Sequence, residues 1–180
     1  MQLLTKNDIQ SLLQQSSLSK KLKGECKLRT EVADWRSLDF VTATDRSGKG
    51  LFIVEVGGQL HIAPFSLNTK LTDANGRVKP IICDICATWR HGSMAARISF
   101  THAKKVTAWL CCADLSCNRN ARNATEAVAI SRTQLAESIS PEARLKRFQE
   151  RLERLVAAVP FEGVNLTEKT PLQNDQNLLQ

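Results

Sequence analysis

The sequence predicts an α+β fold in three pieces. Residues 1–70 read as an N-terminal helix with a small antiparallel sheet, residues 71–163 as a hairpin-and-helix module with C-terminal helices, and residues 164–180 as a disordered tail. Three observations carry this reading. Apolar residues recur at helical spacing near the N-terminus and again after residue 140. From Trp35 the apolar period changes to two, the period of a strand. Five of the six cysteines fall between Ile82 and Asn118.

Thr5-Lys6-Asn7-Asp8 has the form of a capping box ahead of Ile9, Leu12 and Leu13, which predicts an amphipathic helix over roughly 6–20. Lys20, Lys21 and Lys23 followed by Gly24 form its basic last turn and stop. Cys26 lies outside any ligand spacing and reads as a packed or surface thiol. Leu38 to Ala43 is a strand, and Asp45-Arg46-Ser47-Gly48 a turn. Gly50 to Val56 and Gln59 to Ala63 are two β-rich runs joined by Gly57-Gly58, which is a hairpin. Residues 35–65 therefore form a small antiparallel sheet, with His61 pointing outward and Pro64 ending it. Asn68 to Lys79 is polar and reads as a linker.

After Cys86 come Trp89, Arg90, His91 and Gly92. Met94, Ala96, Ile98 and Phe100 alternate along a strand over about 93–101, and His102 to Lys105 turns it into a second strand over 106–111. A helix follows Cys117 and extends to about Ser138. Ser140-Pro141-Glu142 restarts a helix with an N-cap and Pro at the first position. Its apolar stripe is Leu145, Phe148, Leu152, Leu155, Val156 and Val159. Arg144, Lys146, Arg147, Arg151 and Arg154 occupy the rest of its surface with Glu150 and Glu153, either as a solvated face or as a contact face for acidic protein or RNA. Pro160 and Gly163 end it, and Leu166 to Gln180 is polar and Gln/Asn-rich.

The cysteines carry the chemistry. Cys83-Asp84-Ile85-Cys86 opens the module and Cys111-Cys112-Ala113-Asp114-Leu115-Ser116-Cys117 closes it. A C-x-x-C turn sets two sulfurs on one side of a tight loop, as two corners of a tetrahedron require. A second pair then completes a four-thiolate structural zinc site. Adjacent strand residues face opposite ways, so only one of Cys111 and Cys112 points at the metal. Cys112 is the choice, because the strand ends there and Ala113 to Ser116 turns into the helix, leaving Cys111 as a small buried residue. The predicted ligands are Cys83, Cys86, Cys112 and Cys117. At a helix start Cys117 lies at the positive end of the dipole, which favours its thiolate.

The C-D-x-C knuckle, the hairpin, and Cys112-Ala113-Asp114-Leu115-Ser116-Cys117 leading into an Asn/Arg-rich helix resemble the treble-clef zinc finger of the elongation factor G-binding (FusB-like) proteins. The resemblance is closest to the FBP-domain branch. It extends upstream to Trp35-Arg36-Ser37-Leu38-Asp39-Phe40 and downstream to Ser140-Pro141-Glu142-Ala143-Arg144-Leu145, covering roughly residues 5–160. It implies one structural Zn²⁺ and a binding role, with elongation factor G as partner on or near the ribosome. Only the four cysteines carry over as family residues.

Composition is consistent with a non-membrane globular chain. Hydrophobic residues make up 42% and aromatics 5% with no Tyr, so the core is expected to be mostly aliphatic. No run of about 18 apolar residues occurs, and the N-terminus lacks the charged-then-apolar layout of a signal peptide. A cytoplasmic location is expected, where clustered thiols bind metal and not one another. Net charge is +7 and pI about 9.3. Residues 71–130 hold eight basic and four acidic groups, an excess that partly offsets the anionic metal centre.

Four thiolates leave no coordination position for a substrate. The treble-clef shape also occurs in some His-containing nucleases, but His91 and His102 lie in polar turns without an acidic partner. No phosphate-binding or nucleophile-elbow motif is present. No enzyme activity, catalytic residue or small-molecule substrate is expected. Candidate partner contacts are Lys104, Lys105, Arg119 and Arg122. The last two stand in a first helical turn, where the dipole disfavours cations. Two readings are open for them: neutralising the zinc thiolates, or contacting phosphate or carboxylate outside. The alternative function is a zinc-stabilised RNA- or ribosome-binding protein.

Overall fold

The computed structural model describes residue 14 and residues 27–28, 38–72, 75–77, 80–102, 104–122, 140–159 and 161–164. Of the expected helix over 6–20 only Gln14 is described, and it is helical. Cys26, Trp35, residues 123–139 and the tail beyond 164 lie outside the described residues.

The described strands are β1 (Lys27–Leu28), β2 (Phe40–Thr44), β3 (Lys49–Val56), β4 (Gln59–Asn68), β5 (Ile81–Ile82), β6 (Trp89–Arg90), β7 (Ala95–His102), β8 (Lys105–Cys112) and β9 (Glu162–Val164). The helices are α1 (Cys117–Ala121) and α2 (Pro141–Ala158), with a 3₁₀ turn at Gly92–Met94. One antiparallel sheet runs β1-β2-β3-β4-β7-β8, with β9 also pairing to β4, and β5 and β6 form a separate ribbon. The sheet crosses residue 70: Ser66 and Leu67 of β4 face Ser99 and Ile98 of β7. The sheet region and the cysteine module therefore share one sheet.

The hairpin between β3 and β4 follows from Gly57-Gly58. Both have positive φ, +59° and +76°, as a two-residue primed turn requires. Gly50 has a different reason to be glycine, since a Cβ there would sit 1.9 Å from the Ala43 carbonyl oxygen of β2.

Pro64 does not end the sheet; β4 continues through it to Asn68. The register explains why. Leu67 N–H donates to Gly48 O at 2.8 Å, so odd-numbered residues of β4 turn their N–H groups toward β3 and Pro64 turns away. On that far side β9 pairs with residues 60–62 and β7 with 66–68, leaving a gap at 64 where a missing N–H costs nothing. Gly163 likewise lies within β9, opposite His61, instead of ending the fold.

The core is more aromatic at its centre than the composition predicts. All six phenylalanines of the chain, Phe40, Phe52, Phe65, Phe100, Phe148 and Phe161, join in one ring cluster. Phe40 and Phe52 stack at 4.7 Å, and Phe52 meets Phe100 edge-on at 5.9 Å. A chain-wide percentage cannot show that the few aromatic residues converge. α2 covers this face with Phe148, Leu152 and Leu155, and Val159 follows at its C-cap; all four are buried. Each is worth about 1.5–3 kcal/mol of burial. Ser140 Oγ accepts from Ala143 N–H at 3.2 Å and Pro141 opens the helix, as the sequence indicates. Val41, Ala43, Leu51, Ile53, Leu60 and Ile62, on the opposite sheet face, are buried too. That is why Leu51 to Val54 reads as a continuous apolar run.

Candidate metal centre

The first pair of cysteines sits in a turn closed by its own backbone. β5 and β6 pair Ile82 with Trp89, Cys83 N–H donates to Thr88 O at 2.9 Å, and Ala87 N–H donates to Cys83 O at 2.9 Å. Cys86 N–H points at Cys83 Sγ, 3.4 Å away. The turn forces Ala87 to φ +60°, a conformation that disfavours any side chain.

The second pair is held by the end of β8 and the start of α1. Leu115 N–H donates to Cys112 O at 3.0 Å, and Leu115 has φ +56°. The Asp114 carboxylate accepts from Ser116 N–H at 3.1 Å and Ser116 Oγ at 2.8 Å, fixing the entry to the helix that begins with Cys117.

These turns bring the Sγ atoms of Cys83, Cys86, Cys112 and Cys117 within 4.8 Å of one another, all four residues buried. Cys83 and Cys117 sulfurs are 3.7 Å apart, Cys86 and Cys112 sulfurs 3.6 Å. A tetrahedron with metal–sulfur bonds of about 2.3 Å has edges of roughly 3.8 Å, so the cluster has the size that zinc requires. Cys112 joins it. Cys111 faces the core opposite Ala96, fully buried, and burial pushes its thiol well above the ordinary range. The four-cysteine centre is a closed zinc site. The knuckle, the β7–β8 hairpin and α1 around it form the treble-clef arrangement.

Electrostatics favours a metal here. Without one, burial holds the Cys83 thiol well above its ordinary pKa. Hydrogen bonding with Cys112, Cys83 and Cys86, together with burial, does the same to Cys117. Hydrogen bonds from Cys112 and the other sulfurs pull Cys86 well down. Zinc allows all four to ionise together.

Of the two readings left open for Arg119 and Arg122, neutralising the thiolates is not the one the structure shows; Arg90 and Asn120 touch the Cys112 sulfur instead. Arg90, 4% exposed, donates Nε–H to Cys112 Sγ at 3.2 Å. Its own burial disfavours its charge, but the Cys112 and Cys86 sulfurs outweigh that and raise its pKa. Asn120 Nδ2 also donates to Cys112 Sγ at 3.2 Å. Arg122 instead pairs with Asp39 at 2.6 Å and donates to Asn118 O at 3.1 Å, while Arg119 is exposed. Lys104 and Lys105 are exposed at the β7–β8 turn, away from the sulfurs.

Three further residues lock the knuckle and helix to the sheet. Asp84 N–H donates to Leu110 O at 2.8 Å, and Leu110 N–H donates to Asp84 Oδ2 at 2.7 Å. Arg151 of α2 donates one guanidinium N–H group to Cys83 O at 3.1 Å and Asp84 O at 2.9 Å. Asn118 accepts from Asp39 N–H at 3.0 Å and donates to Phe40 O at 2.8 Å. In sequence these are one Asp inside the knuckle, one of several arginines on a helix and one Asn among several. No periodicity singles them out.

Among the described residues, no helix is long and apolar enough to cross a membrane. A family model described as FBP C-terminal treble-clef zinc-finger matches residues 11–159. No curated protein and no solved structure matches the chain.

Proposed function

The chain belongs to the FBP C-terminal treble-clef zinc-finger family, and from that premise we propose that it is a cytoplasmic, non-enzymatic binding protein whose partner is translation elongation factor G, on or near the ribosome. One observation carries this: the buried centre is filled by four cysteine sulfurs and stiffens a hairpin whose exposed cations face outward. A closed site of this kind contributes rigidity and folding energy, not an open position for water. The sequence resemblance supplies elongation factor G, and a cationic surface suits the acidic face of a protein. A rigid ligand acts on its partner by binding one conformation better than another, and modulation of the factor's release follows if the released form is the one favoured.

The same cations favour the second reading, ribosomal RNA. The two separate by salt. The zinc-loaded chain is titrated with purified elongation factor G and with ribosomal RNA at about 0.1 M and about 0.5 M salt. A protein interface with a desolvated centre keeps most of its affinity, whereas RNA binding falls by orders of magnitude as counterion release loses its drive. The Cys112→Ser, Cys117→Ser double variant serves as control. Factor binding that survives high salt and disappears in the control is the expected result. Binding of RNA alone, lost at high salt, would establish the second reading.

A further inference from the structure

Among the described residues, no strand pairs with the outer edge of β8, beside the metal centre. The β7–β8 register is unbroken from Ala95↔Cys112 to His102↔Lys105. Leu110 turns its N–H and C=O away from β7 to Asp84, so by the alternation of an antiparallel pair the backbone groups of Thr107, Trp109 and Cys111 point inward to β7. Those of Val106, Ala108 and Leu110 point outward. Leu110 is already engaged: its N–H and C=O bond to the Asp84 carboxylate and N–H, one rung of a strand-like pairing. The outward N–H and C=O groups of Val106 and Ala108, the next two rungs, have no partner among the described residues. Val106 is 60% exposed and Ala108 is exposed.

Open edges are usually blunted by proline, a bulge or lysine along the strand. Here the cations Lys104 and Lys105 stand only at the turn, and the rungs themselves carry a small and a β-branched apolar side chain. Charge identifies the occupant. From Ile85 to Ala113 the sequence contains no Asp or Glu, but it holds Arg90, His91, Arg97, His102, Lys104 and Lys105. Arg90 is spent on Cys112, while Arg97, Lys104 and Lys105 are exposed.

We propose that an extended, acidic segment of a protein partner adds to the outer edge of β8, pairing with Val106 and Ala108 while its carboxylates meet Lys104, Lys105 and Arg97. This edge addition gives affinity through backbone bonds and specificity through charge. It rests on the reading above only for the identity of the whole partner.

The test uses the zinc-loaded full chain and a capped Glu-Val-Glu-Val-Glu-Val-Glu peptide, with a Lys-Val counterpart as control. Amide hydrogen exchange at Val106 and Ala108 is expected to slow by about tenfold with the acidic peptide, with Thr107 unchanged and the lysine peptide without effect. Ala108→Pro removes one outward N–H and no bond to β7. It is expected to weaken peptide binding about tenfold or more while keeping the zinc content and melting temperature. Lys104→Glu, Lys105→Glu is expected to weaken it without touching the strand, and it carries the test if the proline variant does not fold. Equal binding by both variants, or unchanged exchange at Val106 and Ala108, overturns the proposal. Elongation factor G is then titrated against the same proteins. If it binds wild type and Ala108→Pro equally, edge addition fails and the proposed function stands. If only the peptide binds, the proposed function fails and edge addition stands.

Discussion

Removing the Arg151 contact tests how the last helix supports the zinc knuckle. One guanidinium nitrogen bonds the carbonyls of Cys83 and Asp84, at 3.1 and 2.9 Å. A hydrogen bond from a charged donor is worth about 1.5–3 kcal/mol, and two sharing one nitrogen are worth less than twice that. Arg151 is partly exposed, which weakens the pair further, so about 2–3 kcal/mol is the expected loss in Arg151→Met, which keeps the apolar stem. Metal binding couples to folding, and on that ground the knuckle is expected to order when its two sulfurs share a metal, so that loss of the contact appears as lost zinc affinity. At 1.4 kcal/mol per decade this is about 30- to 150-fold. The assay is competition for zinc with a chromophoric chelator, beside Arg154→Met, a control at an exposed position on the same helix. A zinc affinity within about threefold of wild type would refute the reasoning, because it would mean that the metal-free knuckle already holds the contact.

Two other expectations follow from the same centre. Ala87→Gly relieves a side chain held at φ +60° and is expected to raise stability by about 0.5–1 kcal/mol, read as a higher urea midpoint, whereas Ala87→Val lowers it. In the metal-free chain burial holds the Cys83 thiol well above the ordinary range and the neighbouring sulfurs do the same to Cys117, whereas hydrogen bonds from Cys112 and the other sulfurs pull Cys86 down. Zinc therefore displaces protons from Cys83 and Cys117, so its affinity falls as pH falls. Chelator competition repeated at two pH values checks this; a zinc affinity that does not change with pH would contradict this account.

The parts legible in sequence were those set by neighbours in the chain. C-x-x-C spacing is local chemistry, so the knuckle can be read directly. Ser140-Pro141 encodes its own helix start, and Gly57-Gly58 its own hairpin. What escaped depends on which remote groups meet. Arg90 reads as one more basic residue until the β5–β6 ribbon turns it onto Cys112. Arg122 follows the last ligand in sequence, yet its cation goes to Asp39, far upstream. Pro64 carries a valid local rule for ending a strand, overruled by a gap between β7 and β9 that no local pattern shows. Low aromatic content predicts an aliphatic core only if aromatics are spread evenly, and here tertiary packing gathers them.

Asn118 has a further consequence, for the order in which the chain is made. It ties Phe40, 78 positions earlier, and it directly follows Cys117, the last zinc ligand. At about 5–20 residues per second of synthesis, the start of β2 waits roughly 4–16 s for its clamp. The ligand that completes the metal centre and the amide that pins the sheet then emerge one after the other. Metal capture and closure of the sheet margin thus belong to the same moment of biogenesis, and a nascent chain cut before Cys117 lacks both.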